Sequence, residues 1–531
     1  LNRLIMTTFT SKKVALAAVM AASSVCVQAA DWPTWGGTAA RNMISEEKGL
    51  PVELEPGKKK AGSDEIDLAT TKNVAWVAKL GGQSYGTPSI AGGKVFVGTN
   101  NEFPRDEKHI GDRGVVMSFD EYTGKFLWQL CSPKLGAGKV SDWEFLGMCS
   151  APTIVGNRGY VITNRCEVLC LDVNGLADGN QGMTDEAKYL ASPGKDGTIK
   201  PVEPGENDAD VIWVYDLRKE LGVFPHNIAS SYALVVDGKV YVSTSNGVDY
   251  SHINIPAPTA PSFVCLDAET GEYEAEMAPV VSERVLHCSW SSPSYGMVAG
   301  KPMVFFAAGD GFAYGLGAAA EREKIDDDIY ELPIKWTYDA NPPEYRKNEA
   351  GEKMKYAEFD GPSECIATPV FADGLLYVAI GQDPEHGEGV GMLSCIDPSK
   401  ADGDISGKAL WTFKDIERSI STPAVKDGLL YTADYTGRLF CLDAKTGKEY
   451  WRHDTLGHIW ANPLLADGKI YIGNEEGELF ILAEGKEKKL LGQVEFSAPL
   501  KGSVVAANGA LFIATETHLY CFKEGAKPVA E

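Results

Sequence analysis

The sequence predicts an all-β fold, an eight-bladed β-propeller of four-stranded antiparallel blades whose ring is closed by an N-terminal strand. Three observations predict it: one strand-turn unit recurs eight times, a turn motif and a tryptophan keep a fixed offset within it, and the last unit lacks its outer strand. The unit is clearest at Asp427 to Asp454, DGLLYTADYTGRLFCLDAKTGKEYWRHD. Ser419 to Val425 is its innermost strand and Leu429 to Ala433 its second. Tyr435-Thr436-Gly437 turns the chain, and Arg438 to Leu442 alternates polar with apolar in period two. Asp443-Ala-Lys-Thr-Gly447 is a tight turn, because Asp and Thr side chains bond nearby amides and Gly accepts positive φ. Lys448 to Arg452 is then the outer strand.

The aromatic residue at Tyr431 returns at Phe96, Tyr160, Tyr241, Phe305, Tyr377, Tyr471 and Phe512, which makes eight units. The Asp-x-x-Thr-Gly turn returns at Asp120 to Gly124 and Asp267 to Gly271, and more loosely at Asp172 to Gly175. Trp128, Trp411 and Trp451 each stand four residues after a turn glycine, where a large ring can cover the edge of the neighbouring blade. Unit eight, Val504 to Phe522, ends before an outer strand, and Val74 to Leu80 has that strand's character. Asn73 to Leu80 is therefore expected to pair with Leu519 to Phe522.

Ahead of the ring, Met6 reads as the initiator. Lys12-Lys13, the apolar run Val14 to Val27 and the small-residue site Val27-Gln28-Ala29 make residues 1–29 a signal peptide, so export to the periplasm or the medium is expected. The run is too short to span a bilayer, and no other segment is apolar enough for a membrane span. Residues 30–72 are an N-terminal extension and linker, whose first half, with Trp32 and Trp35, is expected to pack on the propeller's side. Residues 73–531 are the propeller. The net charge of −24 excludes nucleic acid and anionic lipid as partners. Cys170, Cys265, Cys395, Cys441 and Cys521 fill one repeat slot. Equivalent slots in adjacent blades lie about 10 Å apart, beyond disulfide reach, so free buried thiols are expected there. Cys131 and Cys149 bracket one loop, where a bond is an open alternative.

Units of the form CLDAKTGKEYW, with Trp76 closing the ring, resemble the pyrroloquinoline-quinone (PQQ) type repeats of quinoprotein dehydrogenases and of outer-membrane-assembly propeller lipoproteins. The resemblance covers about residues 73 to 523. For the dehydrogenases it implies PQQ with a calcium ion over the central channel, an adjacent cysteine pair and a catalytic Asp. This chain has no adjacent cysteines, and no position matches the catalytic Asp motif. PQQ with calcium is accordingly not the favoured cofactor.

The innermost strands locate a site. The slot at Gly86, Ser150, Ser231, Ser291, Ala367, Ser421, Ala461 and Gly502 is small in all eight units, as expected where wedges crowd an axis. Where the chain begins each inner strand stand Gln83, His226 with Asn227, His287, Glu364, Arg418 and His458, with Trp290 and Trp460 just inside. A ring brings these positions to one mouth of the central channel. Meander topology puts the loops Asn100 to Gly114, Asn246 to Pro261 and Gly381 to Gly391 on the same face, along with all eight histidines. A metal site is one explanation of the histidines; long loops carrying polar residues is the other. Segments 176 to 210 and 318 to 333 are read as solvated excursions on the opposite face.

Two functional classes stay open. One is a non-catalytic extracytoplasmic platform that binds a protein, a glycan or a small anionic ligand at a solvent-reachable cationic mouth made by His226, Asn227, His287, Trp290, Glu364, Arg418, His458 and Trp460. The other is a quinoprotein-like oxidoreductase with a diverged cofactor site. The missing cysteine pair favours the first.

Overall fold

Residues 30–193, 198–354 and 358–529 are described in a computed structural model; the signal-peptide reading falls on residues outside them. Eight four-stranded meanders surround a central channel. The unit read at residues 427–454 is blade six: Ala424–Lys426, Leu429–Ala433, Arg438–Asp443 and Glu449–Asp454. Blade eight takes Val505–Ala507, Ala510–Ala514 and His518–Phe522 from the C-terminal end and Val74–Lys79 from the N-terminal side. Val77 stands opposite Tyr520 and Ala78 opposite Leu519 in that pairing, so the ring closes as the repeat count requires.

The turn motif and the tryptophan work as one joint between blades. Asp443 Oδ1 accepts from the amides of Lys445 and Thr446 and from the Thr446 hydroxyl, and Gly447 has φ +70°. A Cβ on Gly447 would stand 2.5 Å from the ring of Trp411, the outer-strand tryptophan of the preceding blade, whose indole N–H donates to Ala444 O at 3.2 Å. The same arrangement seats Trp76 on Gly124, Trp128 on Gly175 and Trp213 on Gly271. Glycine is required at these turns twice over, for positive φ and for the indole lying on it. Trp76, Trp128 and Trp451 are buried and Trp411 is half-buried.

In blade three the turn carboxylate Asp267 is held down to about 2 by its hydrogen bond to Lys239, against the opposing effect of burial. A depressed carboxylate adds stability above its unfolded pKa, and that stability is lost as pH falls through the folded value. Asp267→Asn should therefore melt below wild type at pH 7. The gap should shrink from about pH 4 downward and close near pH 2, as followed by circular dichroism.

Two features of the channel were not foreseen. One residue beyond the small slot, the backbone N–H of each contributing blade donates to a side-chain oxygen of another blade. The order is Thr87 to Tyr232, Tyr232 to Ser292, Ser292 to Thr368, Thr368 to Thr422, Thr422 to Asn462, Asn462 to Ser503, and Ser503 back to Thr87. Blade two has Ala151 there, and the long Tyr232 side chain spans it to reach Thr87. The belt satisfies buried amides that face the axis rather than another strand.

The second feature corrects the placement of the extension, which does not pack on the propeller's side. Residues 32–47 pass around one end of the channel and touch the inner strand of every blade. Backbone or side-chain bonds run to Ile90, Ile154, Tyr295, Phe371, Val425, Leu465 and Ala506, each four residues beyond the small slot, and to Ala233 in blade three. Arg41, fully buried at φ +63°, ties this cap down. Its guanidinium donates to Pro293 O, Thr34 Oγ1, Trp35 O and Ala233 O.

The excursions also pack more closely than expected. Tyr330–Glu331 extends the outer edge of blade three, and residues 207–209 bond along Gln129 of blade one. All ten cysteines among the described residues are free, Cys131 and Cys149 included, and the five in the repeat slot are buried. No helix among the described residues is long and apolar enough to cross a membrane.

Candidate functional site

The channel holds a cavity of about 540 Å³. Its floor is Trp35 of the cap, stacked on Tyr232 at 5.6 Å, and hydroxyls and an amide of the belt line its wall. Trp143, Trp290 and Trp460 stand at the other end, the mouth where the inner strands begin. Trp290 is oriented by its N–H to Ile228 O at 2.7 Å, and Trp460 meets Tyr85 edge-on at 5.4 Å. Lys501 lies over both Tyr85 and Trp460 and pairs with Glu516 at 2.9 Å. Asn227, at φ +57°, exchanges backbone bonds with Val140 and Trp143 and so fixes the inter-blade loop beside it.

Of the residues expected at the mouth, Gln83, Asn227, Trp290 and Trp460 line this cavity. His226, His287, Glu364 and Arg418 do not reach solvent there: each is at most 1 % exposed and lies behind the wall. Arg418 is a loop anchor, donating to Ser363 Oγ, Glu388 O and Glu358 O, and it lies against Gly389. It thereby holds the 381–391 loop down. His458 is half-exposed, stacked flat on Tyr435 at 4.3 Å, with Nδ1 3.3 Å from Glu475. The cationic rim is also not present, because the acids lining the cavity are Glu144, Asp383 and Glu385 and its lysine is the paired Lys501.

Behind the wall, four imidazoles meet. His226 starts the inner strand of blade three and His287 that of blade four, while His252 and His386 come from the inserted loops 246–261 and 381–391. Ring centroids are 4.2 Å apart for His226 and His287, 5.1 Å for His226 and His252, 4.9 Å for His252 and His287, and 5.3 Å for His287 and His386. His287 Nδ1 lies 3.2 Å from Asp383 Oδ2 and 3.6 Å from Glu364 Oε1, and His386 Nδ1 also bonds Asp383. Ligand atoms of His226, His252 and His287 lie within 4.8 Å of one another, and so do those of His287, Asp383 and His386.

The electrostatics divide the cluster. Burial, then the neighbouring His287, pushes His226 down to about 3, so it is neutral near pH 7. Burial opposes charge on His287 too, but its bonds to Asp383 and Glu364 prevail and raise it to about 9. Asp383 is held well below the usual carboxylate range by His287 and His386 against burial, whereas burial lifts Glu364. Asp383 faces both ways, since it also lines the cavity.

The position after the small slot, polar in seven of eight units, was the readable signal for the belt. The meeting of His252, His386 and Asp383 with His226 and His287 had no such signal, because irregular loops deliver three of these residues.

Residues 390–487 match the family model of the outer membrane protein assembly factor BamB. BamB from Moraxella catarrhalis superposes with a TM-score of 0.53 at 13% identity, over 85% of this chain and 99% of that one. Quinohemoprotein alcohol dehydrogenase from Comamonas testosteroni gives 0.43 at 12% identity, over 94% and 81%. The sequence matches no curated protein. At these identities the solved structures speak to fold alone. The chain is thus an eight-bladed β-propeller closed by its N-terminal strand, and its residues 390–487 carry repeats of the kind that family model describes.

Proposed function

We propose that the chain is an exported binding propeller that takes a polar, ring-bearing ligand of saccharide type into the mouth of its central channel. The observation that supports this reading is the make-up of the cavity: the indoles of Trp35, Trp143, Trp290 and Trp460 line it together with hydroxyls and amides such as those of Ser292, Thr368 and Asn227. Aromatic faces suit the C–H faces of a sugar ring, and the polar groups suit its hydroxyls. The volume of about 540 Å³ lies in the usual range for a ligand pocket. Export rests on the amino-terminal pattern of residues 1–29.

PQQ is a planar tricarboxylate, and the cavity does not suit it. The ionised groups it presents are Glu144, Asp383 and Glu385 against Lys501, whose charge Glu516 already meets. A trianion there would face net repulsion, and no redox step is assigned.

A second reading, a docking platform for a protein partner, is favoured by the apolar tips Ile110, Tyr250, Ile253, Phe359 and Leu456, all more than half exposed. They stand on the inserted and inter-blade loops that surround the same mouth.

The channel reading is tested by titrating oligosaccharides while following tryptophan fluorescence. A saturable change is expected, and Trp290→Ala with Trp460→Ala should weaken it about 10- to 100-fold. A panel that leaves the emission unchanged, or a double variant that binds like wild type, defeats it.

A further inference from the structure

We propose that His226, His252, His287 and His386 form a binding site for one divalent first-row transition-metal ion, of the kind zinc exemplifies, with Asp383 and Glu364 holding the rings from behind. The proposal stands whether or not the channel takes a saccharide.

The spacing of the rings carries it first. Imidazoles that share one ion at about 2.0–2.1 Å place their ring centroids about 5 Å apart in a tetrahedral arrangement. The centroid separations of five of the six ring pairs run from 4.2 to 5.5 Å, and three of the rings already bring ligand atoms within 4.8 Å of one another. Closing that last gap needs small ring rotations, not a new fold.

The tautomers carry it second. His226 Nδ1 lies 2.6 Å from Val248 O, a group that only accepts, so the proton is on Nδ1 and the lone pair on Nε2. That Nε2 is buried and has no hydrogen-bond partner. His287 and His386 likewise turn Nδ1 toward a carboxylate, at Asp383 and Glu364. An Nδ1 held by an acceptor is the outer-shell arrangement that sets a histidine to ligate through Nε2. A plain ion-pair network accounts for His287, His386, Asp383 and Glu364. It does not account for His226, a neutral imidazole packed against His252 and His287 whose buried Nε2 has no hydrogen-bond partner. Leaving such an acceptor unmet is costly, and a soft-to-borderline cation meets it.

The loops carry it third. Insertions in two different blades each deliver a histidine to the same point above two inner-strand starts. His252 sits at φ +55° in a loop braced by Asp249, which accepts from Ser251 and Asn254. The site is at the rim, since Asp383 touches both the cluster and the channel cavity.

The test uses the full chain, stripped with a chelator and dialysed, then titrated with Zn²⁺ by calorimetry and with Co²⁺ by visible absorption. Roughly one Zn²⁺ per chain is expected, with a raised melting temperature and an intense, low-coordinate Co²⁺ spectrum. His252→Ala and His386→Ala lie on surface loops and should fold. Each should weaken Zn²⁺ at least about 10-fold, while His453→Ala, outside the cluster, should bind as wild type. The proposal is overturned if the stripped chain takes up no stoichiometric Zn²⁺, or if both loop variants bind like wild type. It is equally overturned if His453→Ala loses the ion as they do, or if Co²⁺ shows only the pale spectrum of its six-coordinate aquo ion.

Discussion

Replacing Arg41 by alanine is expected to lower the stability of the folded chain by about 3–5 kcal/mol in chemical denaturation. Its guanidinium is wholly buried and pairs with no carboxylate among its hydrogen-bond partners; carbonyl and hydroxyl oxygens meet it instead. Burial disfavours the charge, and these bonds are what retain it. Without them Pro293 O and Trp35 O lose their donor, while Ala233 O keeps the Thr153 hydroxyl at 2.7 Å. Because Arg41 joins the cap to blades three and four, its loss should also loosen the channel floor. Acrylamide should then quench Trp35 more readily. Arg41→Lys, with a single ammonium in place of a planar fork, should fall between the two. An Arg41→Ala chain as stable as wild type would show that the cap is not fastened here.

Trp76→Ala should cost about 3–5 kcal/mol, the cost of removing a large core aromatic. Trp76 is 1 % exposed, rests on Gly124, tilts against Phe512 at 6.1 Å and donates its indole N–H to Glu121 O at 2.8 Å. Trp128 makes the same contacts within the covalent run of the ring, but Trp76 belongs to the strand that joins the two chain ends. Its loss should therefore separate blade eight from blade one as well as leave a cavity. A second check is the amide exchange of His518–Phe522, which should rise in Trp76→Ala more than in Trp128→Ala. Equal protection in the two variants would mean that closure rests on strand pairing alone.

The blades were legible because their signals are local and repeat. Period-two alternation at Arg438 to Leu442, an Asp-x-x-Thr-Gly turn and a tryptophan four residues later each follow from backbone geometry within a few residues. Closure was legible for a related reason: unit eight had no outer strand and Val74 to Leu80 had no unit. The convergence of Gln83, Asn227, Trp290 and Trp460 on the channel followed from ring symmetry once the units were aligned. The same symmetry could not tell that His226, His287 and Glu364 turn behind the wall, since side-chain burial there is decided by loops that have no counterpart in other blades. Nor could it show that Arg418 faces the backbone of one such loop.

By itself, the sequence determined the number of blades, their strand order, the inter-blade tryptophan joints and the strand that closes the ring, because each depends on a pattern repeated at a constant offset. Only the tertiary structure decided that the extension carrying Trp35 and Arg41 seals one end of the channel, and that His252 and His386 meet His226 and His287 at the other. Those contacts join residues up to hundreds of positions apart through irregular backbone, where no period links sequence spacing to direction in space.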